Sequence, residues 1–424
     1  MPRLPKQTSS RLLWAAISAA LIALPSLPAR GISGGIAEAL VSVKRIIRLS
    51  DGLVVRANLQ NRRASRQRRQ PRHAYARPRA ALPTPTPAPI PSPETEGATR
   101  TVVEPIPGTI GEQGRTLYVA ANATSGGNGS DAQPFSSIQE ALDEAAPGDT
   151  VVVGEGDYEG ELHSVRSGEP DAPIQIIGQG AHIAGAGADH VIDLNHDYIE
   201  LRGFEISDGS KLIYAIGASN SKIIGNWLHD AEGECIRFKF FAVANEVAHN
   251  RIERCGMLDF DLSEDVKNGE GVYIGTAPEQ LDDNPDDRPD ASNRNWVHNN
   301  TIVVPAECVD VKEHAEANVV EQNHCSGSQD PDGAGFSSRG LGTIIRTNVS
   351  SGNAGAGIRL GGDESTDGVN SVVVGNRLTS NEGYGLAVHA TPQATICGNE
   401  VRDNGAGATN SGADPQASCG PSVP

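Results

Sequence analysis

The sequence lacks long hydrophobic runs, and its longest, from Leu12 to Leu24, is too short to span a membrane comfortably. Three basic residues precede this run, and small residues ending at Ala29 follow it. This arrangement is typical of a secretory signal peptide over residues 1–29, and an uncleaved signal anchor is the alternative. We therefore predict no membrane span after signal cleavage, and a protein that is secreted, extracellular or at the cell surface.

Basic residues are scarce beyond position 114. Residues 1–114 contain 17 lysines and arginines against 6 aspartates and glutamates, a net charge of +11, whereas residues 115–424 carry −29. Within the basic part, an Arg-rich segment (62–79) and a Pro-rich segment (83–107) favour disorder, so we predict a disordered stalk over residues 30–114. No folded nucleic-acid-binding motif accompanies the arginines, and a nucleic-acid partner is not expected.

Helical periodicity is absent from the second half of the chain, where short β-branched runs alternate with polar turns. An asparagine recurs there within one apolar pattern, at spacings of 24, 50, 23, 25, 28 and 23 residues: Asn226, Asn250, Asn300, Asn323, Asn348, Asn376 and Asn399. Repeats of this length built from short strands predict a solenoid, here a parallel β-helix. An inward Asn at a bend can bond the backbone of the coils above and below it. A β-propeller or a sandwich with Asn-rich turns is the alternative.

Cysteine is absent from the first 234 residues, and no Cys/His spacing resembles a zinc site. The six cysteines form sequential pairs with separations of 20, 17 and 22 residues: Cys235 and Cys255, Cys308 and Cys325, Cys397 and Cys419. Residues one coil apart stack at about 4.8 Å, which suits the roughly 4.4–6.8 Å between the Cα atoms of a disulfide. We predict sequential disulfides, with free apolar core cysteines as the alternative.

The folded region opens with a strand at Leu117–Ala120, a helix over Ser136–Ala146 and a second strand. A helix placed before a solenoid covers the apolar end of its stack. This segment resembles the N-terminal cap of secreted right-handed parallel β-helix proteins, the pectate-lyase-like superfamily. The resemblance implies an all-β fold over residues 115–424: a single-stranded right-handed parallel β-helix with an N-terminal capping helix and about ten coils.

On one side of the solenoid, side chains from successive coils are predicted to point outward, because strand residues alternate between faces. In the register of the Asn repeat, these outward residues form columns, and we predict that five of them bind substrate: Arg237, Lys239, Tyr273, Arg359 and His389. A further column stacks three glutamates, Glu234, Glu270 and Glu307, which favours a bound cation or raised carboxyl pKa values. A ladder of structural ion pairs is the alternative.

Two motifs, NGEGVYIGT from Asn268 and AECVDVK ending at Lys312, resemble the alginate lyase and chondroitinase B family of polysaccharide lyases. The resemblance implies a calcium site at Asn268 and Glu307, a catalytic base at Lys312, and Arg339 as the assisting acid. Pro305 stands where the family has a first acidic ligand, so either Glu270 or Asp310 completes the calcium site or the metal is absent.

The chemistry implied is β-elimination on an acidic, uronic-acid-containing polysaccharide. The substrate carboxylate must be neutralised while a base removes the neighbouring proton, and flanking cations are expected to lower the pKa of Lys312. A glycoside hydrolase using Glu307 with Asp310 or Glu270, and a non-catalytic carbohydrate-binding or adhesion protein, are the alternatives. We predict a monomer, with the acidic insertion 276–294 as a solvated loop overhanging the groove.

Overall fold

The computed structural model describes residues 114–284 and 287–420, which form a right-handed parallel β-helix capped by one α-helix. The predicted fold class is therefore confirmed. The predicted signal peptide and, apart from Gly114, the predicted stalk lie outside the described residues. Among the described residues, no helix has the length and apolar character needed to cross a bilayer.

Three strand positions recur in each coil, and parallel pairing between coils builds three columns of strands. The first column has eleven strands: β1 (Thr116–Val119), β2 (Thr150–Val153), β5 (Ile174–Gly178), β7 (Ile199–Arg202), β9 (Lys222–Ile224), β12 (Glu246–Ala248), β17 (Trp296–His298), β20 (Val319–Glu321), β23 (Ile344–Arg346), β26 (Val372–Val374) and β29 (Thr395–Cys397). The second contains β3 (Gly156–Glu159), β10 (Trp227–His229), β13 (Arg251–Glu253), β18 (Thr301–Val303), β21 (His324–Ser326), β24 (Val349–Ser351), β27 (Arg377–Thr379) and β30 (Glu400–Arg402).

The third column carries the residues of interest. It contains β4 (Leu162–His163), β11 (Ile236–Lys239), β16 (Val272–Ile274), β19 (Val309–Val311), β22 (Ala334–Ser338), β25 (Ala356–Leu360), β28 (Tyr384–Val388) and β31 (Gly407–Thr409). Two long strands, β6 (Ala181–Asp193) and β8 (Glu205–Ile216), run through both the second and third columns. A small antiparallel hairpin, β14 (Phe260–Asp261) and β15 (Val266–Lys267), and a 3-10 helix (Pro278–Asp283) lie in the connections before and after β16.

The capping helix α1 spans Ile138–Glu144, inside the predicted segment. It starts with a capping box, in which the Ser137 side chain accepts from the backbone of Glu140 and the Glu140 side chain accepts from the Ser137 backbone. Its buried residues Ile138 and Leu142 join the apolar core that fills the solenoid. The helix thus covers the apolar end of the stack, as predicted.

The recurring asparagines form a continuous buried ladder. Asn250, for example, donates to the carbonyl of Ile223 at 2.9 Å and to Asn300 Oδ1 at 3.0 Å, and accepts from the backbone of Asn226 at 2.9 Å. Each amide therefore bonds the coils on both sides, as predicted, and satisfies backbone groups exposed at the bend. Two further ladders were not predicted: Asn245–Asn295–Asn318 and Asn353–Asn381–Asn404.

All six cysteines are paired in sequential order, as predicted. The Cα–Cα distances are 5.5 Å for Cys235–Cys255, 5.9 Å for Cys308–Cys325 and 5.2 Å for Cys397–Cys419. The alternative of free core cysteines is wrong. Three disulfides fit an oxidising compartment outside the cytoplasm.

Candidate active site

The third strand column brings the predicted site residues into register. Ile236 pairs with Val272, Val272 with Val309, and Val309 with Phe336, which is the alignment that the Asn repeat predicts. The outward neighbours of these residues consequently stack in a column of Arg237, Tyr273, Asp310, Ser337 and Arg359. Lys312 and Arg339, 27 positions apart in the sequence, follow adjacent strands of this column.

The expectation that these side chains face open solvent is wrong for most of them. Arg237, Lys239, Tyr273 and Lys312 are 7%, 4%, 3% and 7% exposed. They point away from the apolar core of the coil, but neighbouring chain segments cover them. Only His389 is exposed, and Arg339 and Arg359 are half-buried.

The insertion after β16 supplies part of this cover. Its 3-10 helix places the side chain of Gln280 against Arg237, whose Nη2 donates to Gln280 Oε1 at 2.8 Å. Its second half is anchored by Asp290, which is fully buried and accepts from the backbone of Phe240 and Phe241 and from the Thr276 hydroxyl. The prediction of a solvated loop is therefore wrong at Asp290. Its buried carboxylate accepts the hydrogen bonds of two backbone N–H groups, in place of the backbone carbonyls of a neighbouring coil.

Three carboxylates converge at the third strand column. Glu270, Glu307 and Asp310 are buried, and one oxygen from each lies within 4.8 Å of the others. Burial and the charge of Glu234 raise the pKa of Glu270 to about 8, and burial and the charge of Asp310 raise the pKa of Glu307 to about 7. For Asp310, burial is outweighed by Lys312 and Arg339, which hold its pKa below the ordinary value.

The three carboxylates fit a hard divalent cation. Asp310 Oδ1 is buried without a hydrogen-bond donor, whereas Oδ2 faces the ammonium of Lys312, and an all-oxygen ligand set is what calcium and magnesium prefer. Glu270, Glu307 and Asp310 were predicted as metal ligands, and the structure brings them together. The fourth predicted ligand, Asn268, has an exposed side chain at the end of the β14–β15 hairpin, so it does not share their burial.

Lys312 is held as a cation. Its Nζ lies 2.5 Å from Asp310 Oδ2 and 4.5 Å from the centre of the Tyr273 ring. Burial lowers the proton affinity of the amine, but the charge of Asp310 outweighs this effect and the pKa of Lys312 lies above its ordinary value. The expected lowering by flanking cations is therefore wrong, because the nearest charge is a carboxylate.

Arg237 is equally constrained. Its Nη1 lies 2.6 Å from Glu234 Oε1, and its guanidinium lies over the Tyr273 ring at 4.3 Å. Tyr273 thus sits between two cations, Arg237 and Lys312, and burial raises the pKa of its hydroxyl to about 12. The ammonium group of Lys239 lies over the ring of Phe240 at 4.7 Å.

The exposed end of the site is basic. His389 and Arg359 lie on the C-terminal coils, and burial together with the charge of Arg359 lowers the pKa of His389. The residue that the sequence did not single out is Glu313, which is 1% exposed and lies 3.6 Å from Arg339 through Oε1 and Nη1. It lies two positions after the end of β19, where no periodic pattern distinguishes it.

A Ser-His-Asp chain elsewhere on the second strand column does not make a nucleophile. His182 contacts Asp157 through Nδ1 at 3.0 Å and Ser207 through Nε2 at 2.9 Å. The Ser207 hydroxyl, however, donates to Asp208 at 2.5 Å and the residue is 1% exposed. Its proton is therefore directed away from the imidazole that a serine nucleophile needs.

Comparison with known proteins identifies the fold. Residues 266–416 match the family model described as "Periplasmic copper-binding protein (NosD)". No curated protein matches the sequence. Among solved structures, an alginate lyase from Paenibacillus sp. str. FPU-7 is 21% identical, with a TM-score of 0.56, covering 70% of this chain and 98% of its own.

Two other solved lyases have the same fold. The pectate lyase Pel9A is 16% identical with a TM-score of 0.52, covering 70% of this chain and 82% of its own. A rhamnogalacturonan lyase is 13% identical with a TM-score of 0.57, and the match covers 72% of this chain and 87% of the lyase. Identities this low indicate shared fold alone.

The described residues do not offer a copper-type ligand set in the matched segment. Among the described residues of this segment, one group of side chains could hold a metal. It consists of three carboxylates, Glu270, Glu307 and Asp310. Copper favours imidazole and sulfur ligands, and every cysteine sulfur is in a disulfide. In fold, the chain is a right-handed parallel β-helix similar to these solved lyases, and its residues 266–416 are similar to the NosD family model.

Proposed function

We propose that this protein is a polysaccharide lyase that cleaves an acidic, uronic-acid-containing polymer by β-elimination outside the cytoplasm. The observation that carries the proposal is the convergence of Glu270, Glu307 and Asp310 with Lys312 and Arg339 on adjacent coils. The lyases of similar fold act on alginate, pectate and rhamnogalacturonan, according to their names, which favours this substrate class.

In the proposed reaction, the C5 proton of a uronate residue moves to Lys312 Nζ. The electron pair of that C–H bond forms the C4=C5 double bond, and the C4–O bond breaks. Arg339 binds the substrate carboxylate, and the departing C4 oxygen takes up a proton from water. Tyr273 and Arg237 hold Lys312 in place from the neighbouring coil through the shared ring contact.

Glu270, Glu307 and Asp310 would hold a divalent cation such as calcium. When bound, such an ion supplies positive charge that stabilises the substrate carboxylate and its developing enolate. The ion pair with Asp310 keeps Lys312 protonated, so the base role requires that Asp310 be engaged by another cation.

The test is the formation of an unsaturated uronate. The full chain is incubated with alginate, pectate, rhamnogalacturonan and chondroitin, with calcium or with a chelator, and ultraviolet absorbance of the product is followed. Lys312→Ala is expected to abolish the signal, whereas Lys222→Ala, which removes a lysine paired with Glu200 on the first strand column, should not. Intact activity in Lys312→Ala would refute the assignment of the base.

A non-catalytic β-helix is the second candidate. The burial of Lys312 and the NosD match favour it. Absence of any unsaturated product, with carbohydrate binding retained, would support this candidate over the lyase. A glycoside hydrolase is less favoured, because the three carboxylates crowd together under cover and leave no room between them for a sugar.

A further inference from the structure

Glu313 is a buried carboxylate that the proposed reaction does not use. It follows Lys312 at the end of β19, and both of its carboxylate oxygens are buried without a hydrogen-bond partner among the described residues. A buried charge without hydrogen bonds is costly, and burial raises its pKa. The carboxylate therefore depends on a nearby positive charge.

That charge is Arg339. Its Nη1 lies 3.6 Å from Glu313 Oε1, which is close enough for an ion pair but too long for a hydrogen bond. Arg339 Nε is also buried without an acceptor. Unlike a bidentate Arg–carboxylate pair, this contact forms no hydrogen bond between the guanidinium and the carboxylate.

Glu313 is packed closely by the chain around it. The loop after β25 closes over it, and a Cβ added at Gly362 would lie 2.7 Å from Glu313 Oε1 and 2.8 Å from the Asp367 side chain. The absence of a side chain at Gly362 is what allows the backbone to pack against the carboxylate. Asp310 exerts the largest charge effect on Arg339 and raises its pKa together with Glu313, so Glu313 is the second of two carboxylates that hold the guanidinium.

We propose that Glu313 is a positioning residue that aims Arg339 at the substrate and competes with the substrate carboxylate for its guanidinium. This inference rests on the proposed function, because it takes a uronate carboxylate as the external ligand. Arg339 is drawn toward Glu313 by charge without a hydrogen bond between them, so the half-buried guanidinium can still bind an incoming carboxylate. Glu313 thereby orients Arg339 and, at the same time, weakens the binding of the substrate carboxylate in the ground state.

The test compares affinity with turnover in the full chain. Binding of trimannuronate, triguluronate and trigalacturonate is measured by isothermal titration calorimetry, and kcat and KM by product absorbance. In Glu313→Gln we expect at least fivefold tighter trimer binding, because the competing charge is gone, and at least fivefold lower kcat, because Arg339 is no longer aimed. Glu313→Asp keeps the charge and should restore wild-type affinity with part of the kcat.

The matched control is Glu321→Gln, which neutralises another buried glutamate paired with an arginine, Arg346, on the first strand column. It should change neither quantity. Unchanged trimer affinity in a folded Glu313→Gln would overturn the inference. A loss of thermal stability and activity with an unchanged KM would also overturn it, because that result is expected of a residue with a structural role alone.

The two proposals fail separately. If trimers bind and Glu313→Gln tightens them, but no variant forms unsaturated product, the lyase function fails and the role of Glu313 in holding Arg339 stands. If neither wild type nor Glu313→Gln binds any trimer, the inference about Glu313 is overturned.

Discussion

At the scale of single residues, the character of the site depends on which charge is nearest to Lys312. The sequence places Lys312 among cations from neighbouring coils, and from that pattern alone a lowered pKa is the reasonable expectation. In the folded chain Asp310 lies two positions earlier on the same strand face, and its Oδ2 is 2.5 Å from Nζ. At such short range one opposite charge outweighs several more distant like charges, because Coulomb energy scales inversely with distance.

Removing Asp310 should therefore lower the pKa of Lys312. In Asp310→Asn, burial acts on the ammonium without its main compensating charge, so the amine loses its proton at lower pH than in wild type. Any base-dependent activity should shift to lower pH in the same direction. The measurement is a nitrogen NMR titration of Lys312 Nζ, with the exposed Asp403→Asn as control. An unchanged or raised pKa would contradict the role given to Asp310.

The buried glutamates predict a dependence of stability on pH. Glu270 and Glu307 have pKa values near 8 and 7 in the folded chain against an ordinary value of 4.5, so the folded state binds more protons than the unfolded state between these values. The free energy of unfolding of the chelated protein should therefore fall as pH rises from about 4.5 to 8, by an amount on the order of 8 kcal/mol for the two groups together. The lowered pKa of Asp310 acts in the opposite sense, but only below its ordinary value of 3.8.

Urea unfolding with a chelator at pH 5 to 8 measures this fall. The double variant Glu270→Gln, Glu307→Gln should lose most of it, and the exposed Glu264→Gln should not. Added calcium should reduce the fall in wild type only, because carboxylates bind the ion in their ionised form. A double variant with the same pH dependence as wild type would show that these carboxylates do not carry the effect.

At the scale of elements, the bends of the coils could be predicted from the sequence, whereas the connections that cover the charged residues could not. The bend asparagines could be read from the sequence, because each must recur at the same place in every coil to bond its neighbours. The cover over the charged residues could not be read in this way, because it is built from non-repeating connections such as the 3-10 helix at Pro278–Asp283. Gln280 meets Arg237 across 43 positions, and no periodic pattern links them.

The Asn ladder should be cooperative and sensitive to single substitutions. Asn323 accepts from the backbone and side chain of Asn300 and donates to the carbonyl of Val297 and to Asn348. Asn323→Ala leaves these buried groups unpaired, so we expect a loss of about 3 kcal/mol in the free energy of unfolding. Chemical unfolding compared with the exposed Asn122→Ala measures it. Equal stabilities of the two variants would mean that the ladder is dispensable.

At the scale of the whole molecule, charge opposes the proposed substrate. Residues 115–424 carry a net charge of −29, whereas the site presents the cations Arg339 and Arg359 at its accessible end. Long-range repulsion is screened beyond about 8 Å at physiological ionic strength, whereas contacts inside a covered site are screened much less. A local basic entrance can therefore bind a polyanion that the whole molecule repels at low salt.

This balance predicts an unusual salt dependence. The kcat/KM for an acidic polysaccharide should rise by severalfold as ionic strength increases from about 0.01 M to 0.15 M, because the Debye length shortens from roughly 30 Å to 8 Å. Initial rates across a salt series test this, with a neutral polysaccharide as the binding control. A steady decrease from the lowest salt would indicate that the basic entrance, and not the net charge, governs encounter.

The sequence by itself determined the coil, its register and its cross-links. These features recur along the chain, so their spacing in one dimension reports their stacking in three: the Asn ladder aligned Lys312 with Arg339, and the coil length paired the cysteines. Only the tertiary structure decided how the aligned residues are covered, which charges they contact and which of them remain accessible. Burial depends on connections that occur once, and pKa values depend on distances of a few ångströms, neither of which leaves a periodic trace in the sequence.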